Sequence, residues 1–150
     1  MSGPNVRRGI DACLYRNLGT YAAENWSEVG NLRDVTAGME KDQADATTRE
    51  NNGWTASVGT LKKGSIDGQL AVKVSADAHF AAFRDSFFNS TPVELLVLNG
   101  PISEVGVTGI RATYEVMTFT ENQPMGDIQT ADVSLAIAPS DHAPEAYEVT

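Results

Sequence analysis

Two histidines, His79 and His142, one cysteine, Cys13, and twenty carboxylates are the groups from which this 150-residue chain could build catalysis or metal binding. A zinc site needs three or four converging ligands, and sequences announce one by short spacings such as Cys-x-x-Cys or His-Glu-x-x-His. Neither histidine has a second ligand at such a spacing. Cys13 lies in the apolar run Ala12-Cys13-Leu14-Tyr15 with no activating histidine beside it, so it reads as an inert, buried thiol. Asp42 and Asp45 are both acidic, but the glycine and the terminal glutamate of a calcium loop are missing around them. The glycines fall at turns and are not followed by the lysine of a phosphate-binding loop. No catalytic residue, metal or cofactor is therefore expected, and an enzymatic reading lacks a site.

The stretch that stands out instead is residues 34–54, Asp34 to Trp54: long, polar and almost free of bulky apolar side chains. Connections in compact domains are mostly about 4–6 residues, so it reads as a long loop between two strands. One reading is a solvated surface loop; the other is a segment with a use. Trp26 and Trp54 bracket it and are expected to pack and hold its ends.

Around this loop the chain reads as strands. Residues 10–16 and 26–29 form the first two. Trp54 to Leu61 forms another, ended by a turn at Lys62-Lys63-Gly64. From Gln69 to Val74, Leu70, Val72 and Val74 alternate with polar residues, the period of a half-buried strand. A helix follows over about 76–88, with Ser75 or Asp77 as its cap and Phe80, Phe83 and Phe87 as its core stripe. Val93 to Leu98 is apolar throughout and suits a strand covered on both faces. Residues 107–119 place Ile110, Ala112, Tyr114 and Val116 on one side and Arg111, Thr113 and Glu115 on the other. Residues 128–138 place Ala131, Val133, Leu135 and Ile137 inward, with Asp132 and Ser134 outward. The segment from Pro139 onward reads as an extended tail. Six or seven strands and one helix in a single domain, 1–150, predict a mainly β protein: packed antiparallel sheets, as a β-sandwich or barrel, with a flanking helix and a long loop over about 36–52.

The net charge is −9, and it is distributed unevenly. Beyond Arg111 come seven acidic residues (Glu115, Glu121, Asp127, Asp132, Asp141, Glu145 and Glu148) and no lysine or arginine. That balance excludes a clamp on a nucleic-acid backbone, which needs clustered basic residues, but it allows nucleic acid to slide past without sticking. Residues 1–9 lack the apolar run of a signal peptide. No stretch approaches the roughly 20 apolar residues of a membrane span.

Taken in order, several segments resemble tail tube proteins of long-tailed bacteriophages. They are Leu14-Tyr15-Arg16-Asn17 with Gly19-Thr20-Tyr21, Trp26-Ser27-Glu28-Val29-Gly30-Asn31-Leu32-Arg33-Asp34-Val35-Thr36, and Thr47-Thr48-Arg49 with Asn51-Asn52-Gly53-Trp54. Asp77-Ala78 with Phe80, Gly109-Ile110-Arg111-Ala112-Thr113-Tyr114 and Pro124 with Gly126 complete the set. The resemblance runs from about Ala12 to Ala138 and implies a structural virion protein located in the tail and assembled in the host cytoplasm. Six subunits would form a ring whose strands join into one barrel, and stacked rings would form the tube that conducts DNA. Partners would be further copies of the chain, together with tape-measure, tail-terminator and baseplate or tail-tip proteins. DNA would pass without specific binding. The polar loop carrying Lys41, Asp42, Asp45 and Arg49 would then make contacts between rings or subunits, and Glu115 and Asp132 become candidates for the lumen wall. A monomeric β-sandwich binding module, or the tube subunit of a related cellular injection or gene-transfer particle, are the alternatives.

Overall fold

The computed structural model describes residues 6–150. Its strands are β1 (Cys13–Asn17), β2 (Trp26–Glu28), β3 (Leu32–Asp45), β4 (Ser57–Ala71), β5 (Val93–Leu98), β6 (Thr108–Asn122), β7 (Thr130–Ile137) and β8 (Glu145–Glu148), with one helix, α1 (Ala78–Asn89). All eight strands belong to one antiparallel sheet in the order β2-β1-β5-β6-β7-β4-β3, with β8 also paired to β6. The expected pair of packed sheets is replaced by a single sheet curled into a half-barrel. The cause is the length of β6. Its first half pairs with β5, from Leu98↔Gly109 to Val93↔Tyr114, and its second half with β7, from Tyr114↔Ile137 to Asn122↔Thr130. Two groups of strands that could have separated are therefore tied through one backbone.

One face of the sheet carries the main core, which runs from Leu14 in β1 through Leu95, Tyr114 and Leu135 to Ile66 and Leu70 in β4. The alternation read for β6 and β7 places Ala112, Tyr114, Val116, Ala131, Val133 and Leu135 in it. Phe83 of α1 fills the curl and is almost fully buried; burying one such side chain is worth about 1.5–3 kcal/mol. Leu96 and Leu98 point to the other face, where they form a smaller cluster with Tyr15 and Val107. The apolar run of β5 is thus covered on both sides.

The helix begins at Asp77, whose carboxylate accepts from the His79 backbone N–H at 3.1 Å. At the other end Ser86 Oγ accepts from the Val116 N–H at 3.1 Å, just beyond the point where β5 stops pairing with β6. The aromatic stripe is less buried than expected. Phe80 is only partly covered, edge-on to Phe119, and Phe87 is 40% exposed. Helical spacing fixes which residues share a face, but not how far the sheet extends beneath it.

The largest departure concerns residues 34–54. Residues 34–45 belong to strand β3 and pair with β4 from Asp34↔Gln69 to Asp45↔Ser57. The connection itself is only residues 46–56. Lys62-Lys63-Gly64 is not a turn but the middle of β4. Thr36-Ala37-Gly38-Met39 lacks the large β-branched and aromatic side chains that mark strands, and pairing with a partner strand overrides that weak local preference. Trp54 holds nothing, being 79% exposed. The tail from Pro139 does not stay free either: β8 pairs with Thr108–Arg111 of β6.

Arg111 explains why the tail docks. Its side chain is only 7% exposed and ion-paired to Glu94 on β5, to Glu24 at 2.8 Å and, at 3.9 Å, to Glu145 on β8. It also donates to the Tyr21 carbonyl at 2.9 Å. The guanidinium lies over the Tyr21 ring at 4.0 Å and near Trp26 at 5.1 Å. Tyr21 in turn stacks on His142 at 3.5 Å. One buried cation thereby joins β5, β6, β8 and the β1–β2 connection. Among the described residues, His79 has a comparable role at the helix start. Its Nδ1 accepts from Arg16 Nε at 3.0 Å, and arginine can only donate. The ring proton is therefore on Nε2 and is donated to Ser27 Oγ at 3.2 Å.

Both networks make testable statements. Arg111→Met leaves Glu94 buried without its cation and should cost about 3–5 kcal/mol; adding Glu94→Gln should recover much of the loss, as a double-mutant cycle in urea will show. Burial and the adjacent Arg16 charge push the His79 pKa below its ordinary 6.5. The unfolded chain therefore takes up the proton first, so stability that is full above about 6.5 declines as pH falls toward the folded-state value. His79→Gln, which can still accept from Arg16 and donate to Ser27, should flatten that decline; urea midpoints measured across this range check it.

Candidate assembly surfaces

Strands β3, β4, β7 and β6 form a four-stranded slab whose two faces differ sharply. Val35, Ile66, Leu70, Val133 and Leu135 face the core side. On the other side the register lines up Thr36 with Asp67, Ser134 and Thr118, and Asp34 with Gln69, Asp132 and Thr120. Ala136, opposite both Ser65 and Glu115, extends the same face. The two acids singled out on β6 and β7, Glu115 and Asp132, are thus brought to one surface, where Asp34 and Asp67 join them. A shallow depression there, about 370 Å³, is lined by Asp34, Asp67, Gln69 and Asp132 and by no lysine or arginine. Asp132 accepts from Gln69 Nε2 at 2.9 Å and from Asn122 Nδ2 at 2.8 Å, and Ser134 Oγ donates to Asp67 at 2.7 Å. The carboxylates are oriented by their neighbours rather than left to rotate. Asp34 and Asp67 were missed in sequence because the first was assigned to a loop and the second to the gap between two supposed strands. The alternation Ile66-Asp67-Gly68-Gln69-Leu70 carried the signal.

The slab also has two open backbone edges. Nothing among the described residues pairs with the outer side of β3. On β6, pairing with β5 ends at Tyr114, and from Met117 to Asn122 only the β7 side is occupied. Because each neighbour in the slab is antiparallel to the next, β3 and β6 run in opposite directions.

Beyond Met39 and Gly64 the β3–β4 hairpin leaves the core and becomes an arm. Lys41, Asp42 and Asp45 lie on its first strand and Arg49 in a 3₁₀ turn (Arg49–Asn51) of its connection. Lys63 bridges Glu40 at 3.9 Å and Asp42 at 3.6 Å, all well exposed, so each pair contributes little on its own. Asp45 accepts from the Thr47 N–H at 2.9 Å, its pKa is pulled down by the Thr47 hydroxyl and then by that N–H, and Thr47 Oγ accepts from the Ala56 N–H at 2.9 Å, closing the connection. Lys41 and Arg49 make no ion pair among the described residues. Val58, Leu61 and Trp54 stand out from the arm at 52%, 74% and 79% exposure; such apolar area on a projecting element marks a contact surface. No group of three or more potential ligands gathers among the described residues, and no helix is long and apolar enough to cross a membrane.

A profile of the phage tail tube protein family matches residues 7–140. A comparison with individually characterised proteins finds no match. Among solved structures, the chain is similar to the SPP1 tail tube (TM-score 0.73, 10% identity, covering 95% of this chain and 80% of that one). It is similar to the tail of an empty gene transfer agent particle refined with C6 symmetry (0.70, 18%, 97% and 100%). It is also similar to a chain of the sheath-tube complex of an extracellular contractile injection system (0.65, 8%, 97% and 93%). At these identities the structural likeness speaks for the fold, and the profile for the family. The curled sheet, the flanking helix and the profile over most of the sequence agree: this chain belongs to the phage tail tube protein family, as a structural tail component of a virion or related particle and not an enzyme.

Proposed function

We propose that copies of this chain join edge to edge into a ring and that the rings stack into a tube that conducts DNA. The observation that carries this reading is the slab of β3, β4, β7 and β6: two free edges running in opposite directions, with one face polar and acidic. An open β3 edge set against the open stretch of β6 on a neighbour continues the antiparallel ladder, and closure into a ring removes the exposed edges. Six copies are the expected number, by likeness to the gene transfer agent tail with its C6 symmetry. The polar face then lines the lumen, with Asp34, Asp67, Glu115 and Asp132 repelling phosphates so that DNA slides rather than binds. The arm carrying Lys41, Asp42, Asp45 and Arg49 reaches the adjacent ring. Cap, terminator and tail-tip proteins are expected at the tube ends and a tape-measure protein within it. The gene-transfer and contractile-injection likenesses favour, as a second reading, the same subunit role in a particle other than a phage.

Replacing Glu40–Lys63 by a two-residue Asn-Gly turn removes the arm and half of the β3 edge but no residue of the main core. The shortened chain should remain a folded monomer, with circular dichroism and melting close to the parent, yet form no tubes in electron micrographs; normal tubes would sink the edge-and-arm reading. Glu115→Lys together with Asp67→Lys spares the more enclosed Asp132. This pair should leave tube assembly intact and slow DNA ejection several-fold; unchanged ejection would count against a lumen position.

A further inference from the structure

On the core side of the arm the sheet continues past the core into a groove of about 540 Å³, walled by Met39–Lys41, Lys62–Gly64, Ile110, Ile137 and the Ala143–Ala146 segment. Two glycines shape it. A Cβ at Gly64 would sit 2.7 Å from Met39 Sδ and 3.2 Å from Ile137, so glycine lets those two side chains meet over the floor. A Cβ at Gly59 would lie 2.2 Å from Lys41 Cδ, so the lysine stem crosses the bare backbone. Lys41 and Lys62 are direct cross-strand partners, and like charges so placed destabilise a hairpin. Lys63 has Glu40 and Asp42; Lys41 and Lys62 have no carboxylate partner among the described residues. Glu145, on the far wall, directs its Oε1 to Tyr21 at 3.1 Å and toward Arg111 at 3.9 Å rather than to either lysine. The groove is apolar at its floor, and at its rim Lys41 and Lys62 stand unpaired beside the Glu40–Lys63 pair, which selects an occupant with exposed apolar side chains and an acid.

The chain itself supplies such a segment at its other end. The β6–β7 turn exposes Met125 completely and Ile128 by half. Residues 121–129 contain Glu121 and Asp127 and no basic residue. Asp127 commits one oxygen to the Ile128 N–H at 2.7 Å, leaving the other free. Thr130 is level with Ala71 on β4, and Lys62 lies nine residues along that strand, about 30 Å away. The turn and the groove of one molecule therefore cannot meet, whereas those of two molecules can. A contact between opposite ends is heterologous and propagates along an axis.

We propose that the groove receives the β6–β7 turn of a second copy in the adjacent ring, with Asp127 between Lys41 and Lys62 and with Met125 and Ile128 on the Met39–Ile137 floor. The proposal rests on the tube reading and names the stacking contact within it. Lys41→Glu with Lys62→Glu in the full chain should abolish tubes while rings persist in negative-stain micrographs, and adding Asp127→Lys should restore them. In a Cys13→Ser background, an equal mixture of Lys62→Cys and Asp127→Cys subunits should give dimers with a short bismaleimide, and neither variant alone should do so. Full-length tubes from the Lys41→Glu, Lys62→Glu chain, or no dimers from mixed subunits that have formed tubes, would overturn the contact and leave the ring reading standing. Failure of the unaltered chain to form rings or tubes would overturn both.

Discussion

A β-strand offers hydrogen-bonding groups on both sides, and in this molecule β6 is the strand whose two sides change partners part-way along its length. Its fifteen residues hand over at Tyr114. Before that point the strand lies between β5 and β8; after it the β7 side is paired and the other side is not. The continuous strand makes the sheet single and curled. The absence of a neighbour beyond Tyr114 gives α1 a place to dock, through Ser86 on Val116. The same absence leaves a stretch of edge facing outward. Most other features follow from how the chain covers, or fails to cover, this strand.

The two halves of the sheet use their second face for different ends. At the β1–β5–β6 end that face is closed by Tyr15, Leu96, Leu98 and Val107 and by the Arg111 network. A buried arginine with three carboxylates around it is a poor source of net stability, but it fixes where β8 and the β1–β2 connection sit. At the β3–β4–β7 end the second face is mainly polar and acidic, with several of its side chains bonded to one another. Keeping it open, oriented and negative suits a surface past which a polyanion moves.

The arm shows the same economy. It contributes nothing to the main core, its ion pairs are exposed, and its apolar side chains Val58, Leu61 and Trp54 remain more than half exposed. Its regular structure comes from the β3–β4 ladder alone. That combination is stable enough to present a defined surface and incomplete enough to need another molecule.

The sequence by itself determined the strands with strong alternation, β6 and β7, the apolar β5, the helix with its cap narrowed to Ser75 or Asp77, and the side of the sheet on which Glu115 and Asp132 lie relative to the core. It also carried the order of segments that resembles the tail tube family. These are local properties: period, capping and composition act over a few residues. Only the tertiary structure decided that 34–45 is a strand, that Arg111 is buried although its neighbours in alternation are not, that the tail returns as β8, and that Asp34 and Asp67 share a surface with Asp132. Each depends on a partner far away in sequence. Thr36-Ala37-Gly38-Met39 becomes a strand because β4 offers it hydrogen bonds, and Arg111 is tolerated inside because Glu94, Glu24 and Glu145 converge on it from three other segments. Periodicity reports which way a residue points, whereas what lies on that side is settled by residues that only folding brings near.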